Sequence, residues 1–222
     1  MKAVIFDKDG VLVETFYIYL EAYKRVLSKI GIKIKKDDLA KRYGMKGPEI
    51  IKQIVHDNGK IITDKEVRKL ANEKDRLYKN MAEKKLKLLP GVKKLLNYLR
   101  KKNYKIGIAS SSAREIIEQL LRVKKLKKYF DVVVDGLEIK NSKPHPEIFL
   151  ECAKRLRVEP EDCAVVEDSI HGIRGAKRAN MKCIAVATGQ HSRIELERES
   201  PDLLLNSLKE FDKISNFLNT GS

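Results

Sequence analysis

The sequence predicts an α/β protein, a parallel sheet covered on both faces by helices, with a separate all-helical segment inserted near its start. Three observations lead there. Short apolar runs of strand length recur along the chain, patterns of 3-4 spacing separate them, and about 90 residues of helical pattern divide the first two runs. A simple crossover between parallel strands takes roughly 30 residues, so the surplus forms a domain of its own.

Ala3–Phe6 is a continuous apolar run, as a strand buried on both faces requires. The insertion covers residues 14–88 and carries amphipathic helical patterns over 15–30, 47–58 and 64–83. Gly31, the stretch 44–48, Asn58-Gly59 and Pro90-Gly91 punctuate it. The core then resumes, so residues 1–13 and 89–222 form one discontinuous domain. Val92, Leu95, Leu96 and Leu99 predict a helix, 105–109 the second strand, and Ile116, Ile117, Leu120 and Leu121 a helix. Residues 131–135, a helix through Ile148, Ala153 and Leu156, and strands over 164–166 and 183–187 complete the alternation.

Composition narrows the classes. With 222 residues, 42% of them hydrophobic, the chain can bury a substantial core, and collagen, coiled coil and wholesale disorder are excluded. Charged residues at 35% with 6% aromatics and no Trp match the Lys/Glu enrichment of proteins from hot environments. The formal charge of +16 favours anionic partners but is spread over both segments rather than gathered in a tail. The basic run Arg122–Lys128 lacks interleaved aromatics and reads as a solvated helix face, which argues against nucleic acid. Cys152, Cys163 and Cys183 form no CxxC pair and read as buried thiols. The four histidines form no zinc motif. The apolar start is too short for a signal peptide and no run is long enough to span a membrane, so a cytoplasmic protein is expected. Oligomeric state stays open.

Ligands of an open parallel sheet bind at the carboxyl ends of its strands. There the sequence places Asp7-Lys8-Asp9-Gly10, Ser110-Ser111-Ser112, Ser142-Lys143-Pro144 and Glu167-Asp168-Ser169. Singly these read as turns and helix caps. Together, Asp7, Asp9, Glu167 and Asp168 would repel one another unless a hard cation such as Mg²⁺ sat among them, and hydroxyls with one lysine would complete a phosphate cradle.

These four motifs, in this order and followed by His171-Gly172-Ile173 and Gly175-Ala176, resemble the haloacid dehalogenase superfamily of phosphohydrolases, in its helical-cap subgroup. The resemblance covers nearly the whole chain. It implies a Rossmann-like, doubly wound core with an α-helical cap, and a Mg²⁺-dependent enzyme acting on a small phosphorylated metabolite. Asp7 would be the nucleophile and Asp9 the acid and then the base. Ser110, Ser111 and Lys143 would hold the phosphoryl group. Mg²⁺ would sit on Asp7, the Asp9 carbonyl and Asp168, with Glu167 a ligand or an orienting partner. From the cap, Thr15, Arg42 and Lys46 are candidate substrate contacts. Phosphoglycolate phosphatases and β-phosphoglucomutases are the similar subgroups. Tyr19 stands where the mutases carry a His, which favours hydrolysis, with phosphoglycolate as the first substrate to try.

Overall fold

The computed structural model describes residues 1–219, so the last three positions of the stretch 89–222 lie outside the described residues. Six parallel strands form the sheet: β1 (Ala3–Phe6), β4 (Lys105–Ser110), β5 (Val132–Asp135), β6 (Cys163–Glu167), β7 (Lys182–Val186) and β8 (Leu203–Leu205). Their order is β5-β4-β1-β6-β7-β8, which puts β1 at the centre between β4 and β6. The chain therefore winds outward in both directions from β1, and the crevice at its carboxyl end is the topological switch point.

Strand alternation assigns the two faces. Val4, Phe6, Ile106, Ile108, Val166 and Ile184 point into a cluster with α5 (Val92–Lys101), α6 (Arg114–Val123) and α10 (Phe211–Asn219). Ala3, Ile5, Val165, Cys183 and Ala185 point the other way, onto α7 (Glu147–Leu156), α8 (Ile170–Arg178) and α9 (Arg193–Arg198). All three cysteines are buried and unpaired, as their apolar neighbourhoods predict. No described helix is long and apolar enough to cross a membrane.

Between β1 and β4 the chain leaves the sheet through β2 (Val13–Glu14) and returns through β3 (Lys87–Leu88), which pair antiparallel as a two-residue ribbon. Beyond the ribbon stand four helices: α1 (Phe16–Ser28), α2 (Lys36–Ala40), α3 (Gly47–Asp57) and α4 (Asp64–Lys85). α4 is long and mostly polar, and its start is secured by a capping box: the Thr63 hydroxyl accepts from the Glu66 N–H while the Glu66 carboxylate accepts from the Thr63 N–H. Its apolar stripe, Val67, Leu70, Ala71, Tyr78 and Ala82, buries against its neighbours in the insertion.

Several elements depart from the sequence reading. α2, β8, α9 and α10 were not foreseen, because each is too short to show a period against its polar surroundings. The Arg122–Lys128 run is not one helix face: α6 ends at Val123, Lys125 turns left-handed at φ 55°, and a 3₁₀ turn follows over Lys127–Tyr129. Leu126 at this bend is fully buried, so packing rather than helix propensity sets the path.

Gly107 on β4 lets the sheet lie close against α7, since a Cβ there would stand 2.4 Å from Cys152 Sγ. Gly107→Ala is expected to destabilise the fold by about 1–3 kcal/mol through overpacking. Urea denaturation should show a smaller cost in a Cys152→Ala background, because the two side chains compete for one volume.

Candidate active site

The carboxyl ends of β1, β4 and β6 converge on one buried corner. Asp7 follows β1 and donates its N–H to the Val166 carbonyl at 3.0 Å, which pins it to the neighbouring strand. Lys143 reaches the corner from the loop before α7, and its Nζ donates to Asp7 Oδ1 at 2.7 Å, Glu167 Oε1 at 2.5 Å and the Ala109 carbonyl at 3.2 Å. Burial pulls the Lys143 ammonium toward neutrality, but the two carboxylates outweigh it and hold its pKa above the ordinary value. The other Glu167 oxygen accepts from the N–H groups of Asp168 and Ser169 and from the Ser169 hydroxyl. Glu167 is thus saturated by protein donors.

Asp168 is not. It is 2% exposed, and its Oδ2 has no hydrogen-bond partner. Two glycines make room for it: a Cβ on Gly10 would lie 1.9 Å from that oxygen and one on Gly189 only 1.8 Å. Burial, then the Glu167 and Asp7 carboxylates, push the Asp168 pKa well above the usual range. Burial likewise pushes Asp7 up to about 7, against the pull of Lys143.

Asp9 turns away from this pair. Its Oδ1 accepts from Lys8 Nζ and Thr15 Oγ1, each at 2.5 Å, and its Oδ2 from Ser112 Oγ at 3.0 Å. Lys8 is fully buried, with its ammonium 5.4 Å from the ring centroids of both Tyr19 and Tyr78. When all are ionised, four carboxylates face two buried lysines and two negative charges remain. Burial lowers the pKa of His171 and His191, which keeps them neutral and unable to supply the balance. An orphaned carboxylate oxygen in a corner short of positive charge fits a hard divalent cation. Among the described residues no three acidic, His or Cys side chains are placed so that they alone could hold a metal ion, so a cation here would need backbone, water or substrate oxygens to complete its shell.

The hydroxyls after β4 do not cap α6 but have other partners: Ser110 Oγ accepts from the Ser112 N–H at 3.3 Å and Ser111 Oγ donates to the Gly44 carbonyl. α6 is preceded by Ala113, with no side-chain cap, so the serines before it are not spent on capping. Ser110 and Ser111 line a cavity of about 730 Å³ together with Asp7, Asp9 and Asp168, and the helical insertion roofs it.

A profile of haloacid dehalogenase-like hydrolases matches residues 4–186. A phosphorylated carbohydrates phosphatase from Thermotoga maritima is 37% identical, over 95% of this chain and 99% of its own length. A beta-phosphoglucomutase from Bacillus subtilis is 35% identical over 95% of each chain. The chain belongs to the haloacid dehalogenase-like hydrolases. A solved beta-phosphoglucomutase from Clostridium difficile superposes with a TM-score of 0.89 at 30% identity, covering 99% of this chain and 98% of its own.

Within this haloacid dehalogenase-like site, Asp7, Asp9, Ser110, Ser111, Lys143, Glu167 and Asp168 come together at one sheet edge. The three insertion candidates fare differently. Arg42 is turned elsewhere: its guanidinium bonds Asp57, Gln53 and the Asp38 carbonyl, so it ties α2 to α3 and does not line the cavity. Thr15 is buried, bonding Asp9 and, at 2.7 Å, Tyr43, and reaches the cavity through these two lining residues rather than directly. Lys46 does line the cavity, but its Nζ donates to the Ile139 carbonyl at 2.6 Å and fastens the insertion to the core. Missed by the sequence reading were Lys8, Ser112, Tyr43, Lys74 and Gly189. Lys8 and Ser112 lie inside the sheet-edge motifs and Tyr43 in the loop between the candidates Arg42 and Lys46, whereas Lys74 and Gly189 carry no signal that spacing could reveal.

The raised Asp7 pKa ties the stability of the fold to pH. Its protonated form stabilises the fold fully below the usual carboxylate range, near 4, and that stability is lost as pH rises through about 7. A cation binds the ionised form. Mg²⁺ at about 100 times its dissociation constant should therefore add about 2.7 kcal/mol near pH 8, raising Tm by about 5–10 °C for a chain of this size. At pH 5 thermal melts should show almost no shift; equal shifts at both pH values would contradict the charge assignment.

Proposed function

We propose that the chain is a Mg²⁺-dependent phosphatase of small phosphorylated carbohydrates, working through an aspartyl-phosphate. One observation carries this reading: Asp7, fixed by Lys143, faces the cavity beside an Asp168 oxygen without a protein partner. The family and its named relatives support the class of reaction. The relative named for phosphorylated carbohydrates, 37% identical, puts these esters ahead of phosphoglycolate as the leading substrates.

In this reading an Asp7 carboxylate oxygen attacks phosphorus, and the bond to the leaving oxygen breaks as Asp9 gives that oxygen its proton. Asp9 then takes a proton from the water that cleaves the acyl phosphate and frees Asp7. Lys143 and Ser110 hold phosphoryl oxygens, offsetting a repulsion of about 4 kcal/mol per charge pair at 4 Å for an effective dielectric near 20. Mg²⁺, held by Asp7, Asp168 and the Asp9 carbonyl, would supply the remaining charge neutralisation. Glu167, already saturated, orients Lys143 and the loop carrying Asp168 rather than binding the ion.

The helical insertion, residues 14–88, acts as a mobile cap. Its chain crossings form a two-residue ribbon, and polar contacts hold it down: Ser111 Oγ donates to the Gly44 carbonyl at 2.6 Å and Ser142 Oγ to Glu49 at 2.5 Å. Such contacts exchange readily with water, which suits opening for substrate and closure against bulk water. The partner is a small ester, not nucleic acid or membrane. Three buried free thiols support a reducing, cytoplasmic setting, and the linked ion pairs of Arg114 with Asp135 and Glu138, and of Arg155 with Glu138 and Glu151, support a hot habitat.

Phosphate release from a panel of sugar phosphates, phosphoglycolate, nucleoside monophosphates and p-nitrophenyl phosphate should be Mg²⁺-dependent and stopped by EDTA. Asp7→Asn should abolish turnover. Asp9→Asn should cost about 10²–10⁴-fold on sugar phosphates and less on p-nitrophenyl phosphate, whose leaving group departs without a proton. Stoichiometric conversion of β-glucose 1-phosphate to glucose 6-phosphate, with a catalytic bisphosphate present, would overturn hydrolysis in favour of mutase chemistry.

A further inference from the structure

Of the two buried lysines at the sheet edge, Lys143 has a task at the phosphoryl group and Lys8 has none so far. Lys8 follows Asp7 directly, is fully buried and does not line the cavity, so it meets no substrate. Among the described residues its one ion-pair partner is Asp9, whose Oδ1 lies 2.5 Å from the ammonium. Tyr19 of α1 and Tyr78 of α4 stand beside it: both ring centroids lie 5.4 Å from Nζ, and the Tyr19 hydroxyl accepts from it at 3.5 Å. Two aromatic faces attract a cation and offset part of the cost of drying it, but they offer no second anion. Lys8 thus has one carboxylate to hold and one oxygen to hold it by.

The two oxygens of Asp9 are therefore not equivalent. Oδ1 accepts from the Lys8 ammonium and the Thr15 hydroxyl, and neither residue lines the cavity. Oδ2 accepts from the Ser112 hydroxyl, and Ser112 does line it. An ammonium only donates, so a proton on Oδ1 would be turned against the N–H groups of Lys8, whereas a hydroxyl donates or accepts as it rotates. Ser112 can accept from a protonated Oδ2 and donate instead to the Tyr19 hydroxyl, 3.0 Å away.

We propose that Lys8 is a positioning residue that reserves Oδ1 of Asp9 and so makes Oδ2 the oxygen through which the proton of the reaction passes. This deepens the phosphatase reading and rests on it for the role of Asp9. As the bond from phosphorus to the leaving oxygen breaks, the electron pair stays on that oxygen and Oδ2 supplies its proton. The charge left on Asp9 is met at Oδ1 by an ammonium already in place, so no rearrangement accompanies the transfer. In the second half a water oxygen bonds phosphorus, the bond to Asp7 breaks, and Oδ2 takes a proton from that water, which restores Asp9.

The test is Lys8→Met, which keeps an unbranched stem beside the two rings and removes the ammonium. We compare kcat/KM for a hexose 6-phosphate, whose leaving oxygen needs the proton, with that for p-nitrophenyl phosphate, whose leaving group does not. The variant should lose about tenfold or more on the sugar phosphate and less than about threefold on p-nitrophenyl phosphate. A side chain that only supports the fold would lower both alike, so equal losses, or no loss on either, overturn the proposal. In an Asp9→Asn background Lys8→Met should cost nothing more on the sugar phosphate, and a further loss there refutes action through Asp9. Should Lys8→Met not fold, Lys8→Gln, which keeps an N–H donor without the charge, is held to the same comparison: a loss confined to the sugar phosphate upholds the proposal and equal losses overturn it. If the wild type releases phosphate from no ester with Mg²⁺, the phosphatase reading has failed. A crystal structure of the Lys8 variant then decides the positioning alone: Asp9 turned out of its contacts with Thr15 and Ser112 upholds it, and Asp9 unmoved refutes it.

Discussion

The ammonium of Lys143, bonded at once to Asp7 and Glu167, is what allows carboxylates from two adjacent strand ends to share a dry corner. Without it, two buried negative charges would face each other, and breaking such a pair costs about 3–5 kcal/mol. The lysine also meets the Ala109 carbonyl, so three successive strands of the sheet order, β4, β1 and β6, are bound to one nitrogen. That common anchor sets the position of Asp7, which in turn receives the Asp9 N–H at 2.9 Å and shapes the turn toward Gly10. Lys143 does not neutralise the corner. It leaves Asp168 with an unsatisfied oxygen, and this residual negative charge is what the proposed cation would offset before a phosphate could approach.

Two different kinds of contact surround this anchor. On the core side the contacts are steric: Gly10, Gly172 and Gly189 let the carboxylates of Asp168 and Glu167 come closer than any Cβ would permit. At Gly10 the backbone also lies at φ 76°, a conformation that L side chains rarely adopt. On the insertion side they are polar and aromatic. Tyr19 stacks on Tyr78 with centroids 4.1 Å apart, its hydroxyl meets Ser112 at 3.0 Å, and Ser112 in turn bonds Asp9. Asp7, the proposed nucleophile, is therefore held by the rigid sheet, whereas Asp9, proposed to handle the proton, is held by groups from both layers. A reaction that must position one carboxylate and exchange protons through another gains from that division.

The core was the most legible part of the fold. The runs at 3–6 and 164–166 could only be buried parallel strands once helices were seen between them, and their polar sequels then had to gather at one edge. β8 was not legible, because three leucines after a proline look alike in a strand and in a helix start. Arg42 shows the limit for side chains. Its charge in the cap makes it a candidate substrate contact, yet Asp57 and Gln53 from α3 lie within its reach and take up the same fork of donors. Charge in a sequence states what a residue can bind, and packing decides what it meets.

The sequence by itself determined the sheet, the helical interruption and the chemistry at the edge. Apolar periodicity is a local property, and the residues following each strand inherit their place from topology alone. Only the tertiary structure decided which carboxylate is saturated and which is left open, and that Lys8 lies beside two tyrosines with Asp9 as its ion-pair partner. Each of these depends on which partners arrive from elements remote in the chain. Saturation, burial and pairing are properties of a neighbourhood, and a neighbourhood exists only after folding.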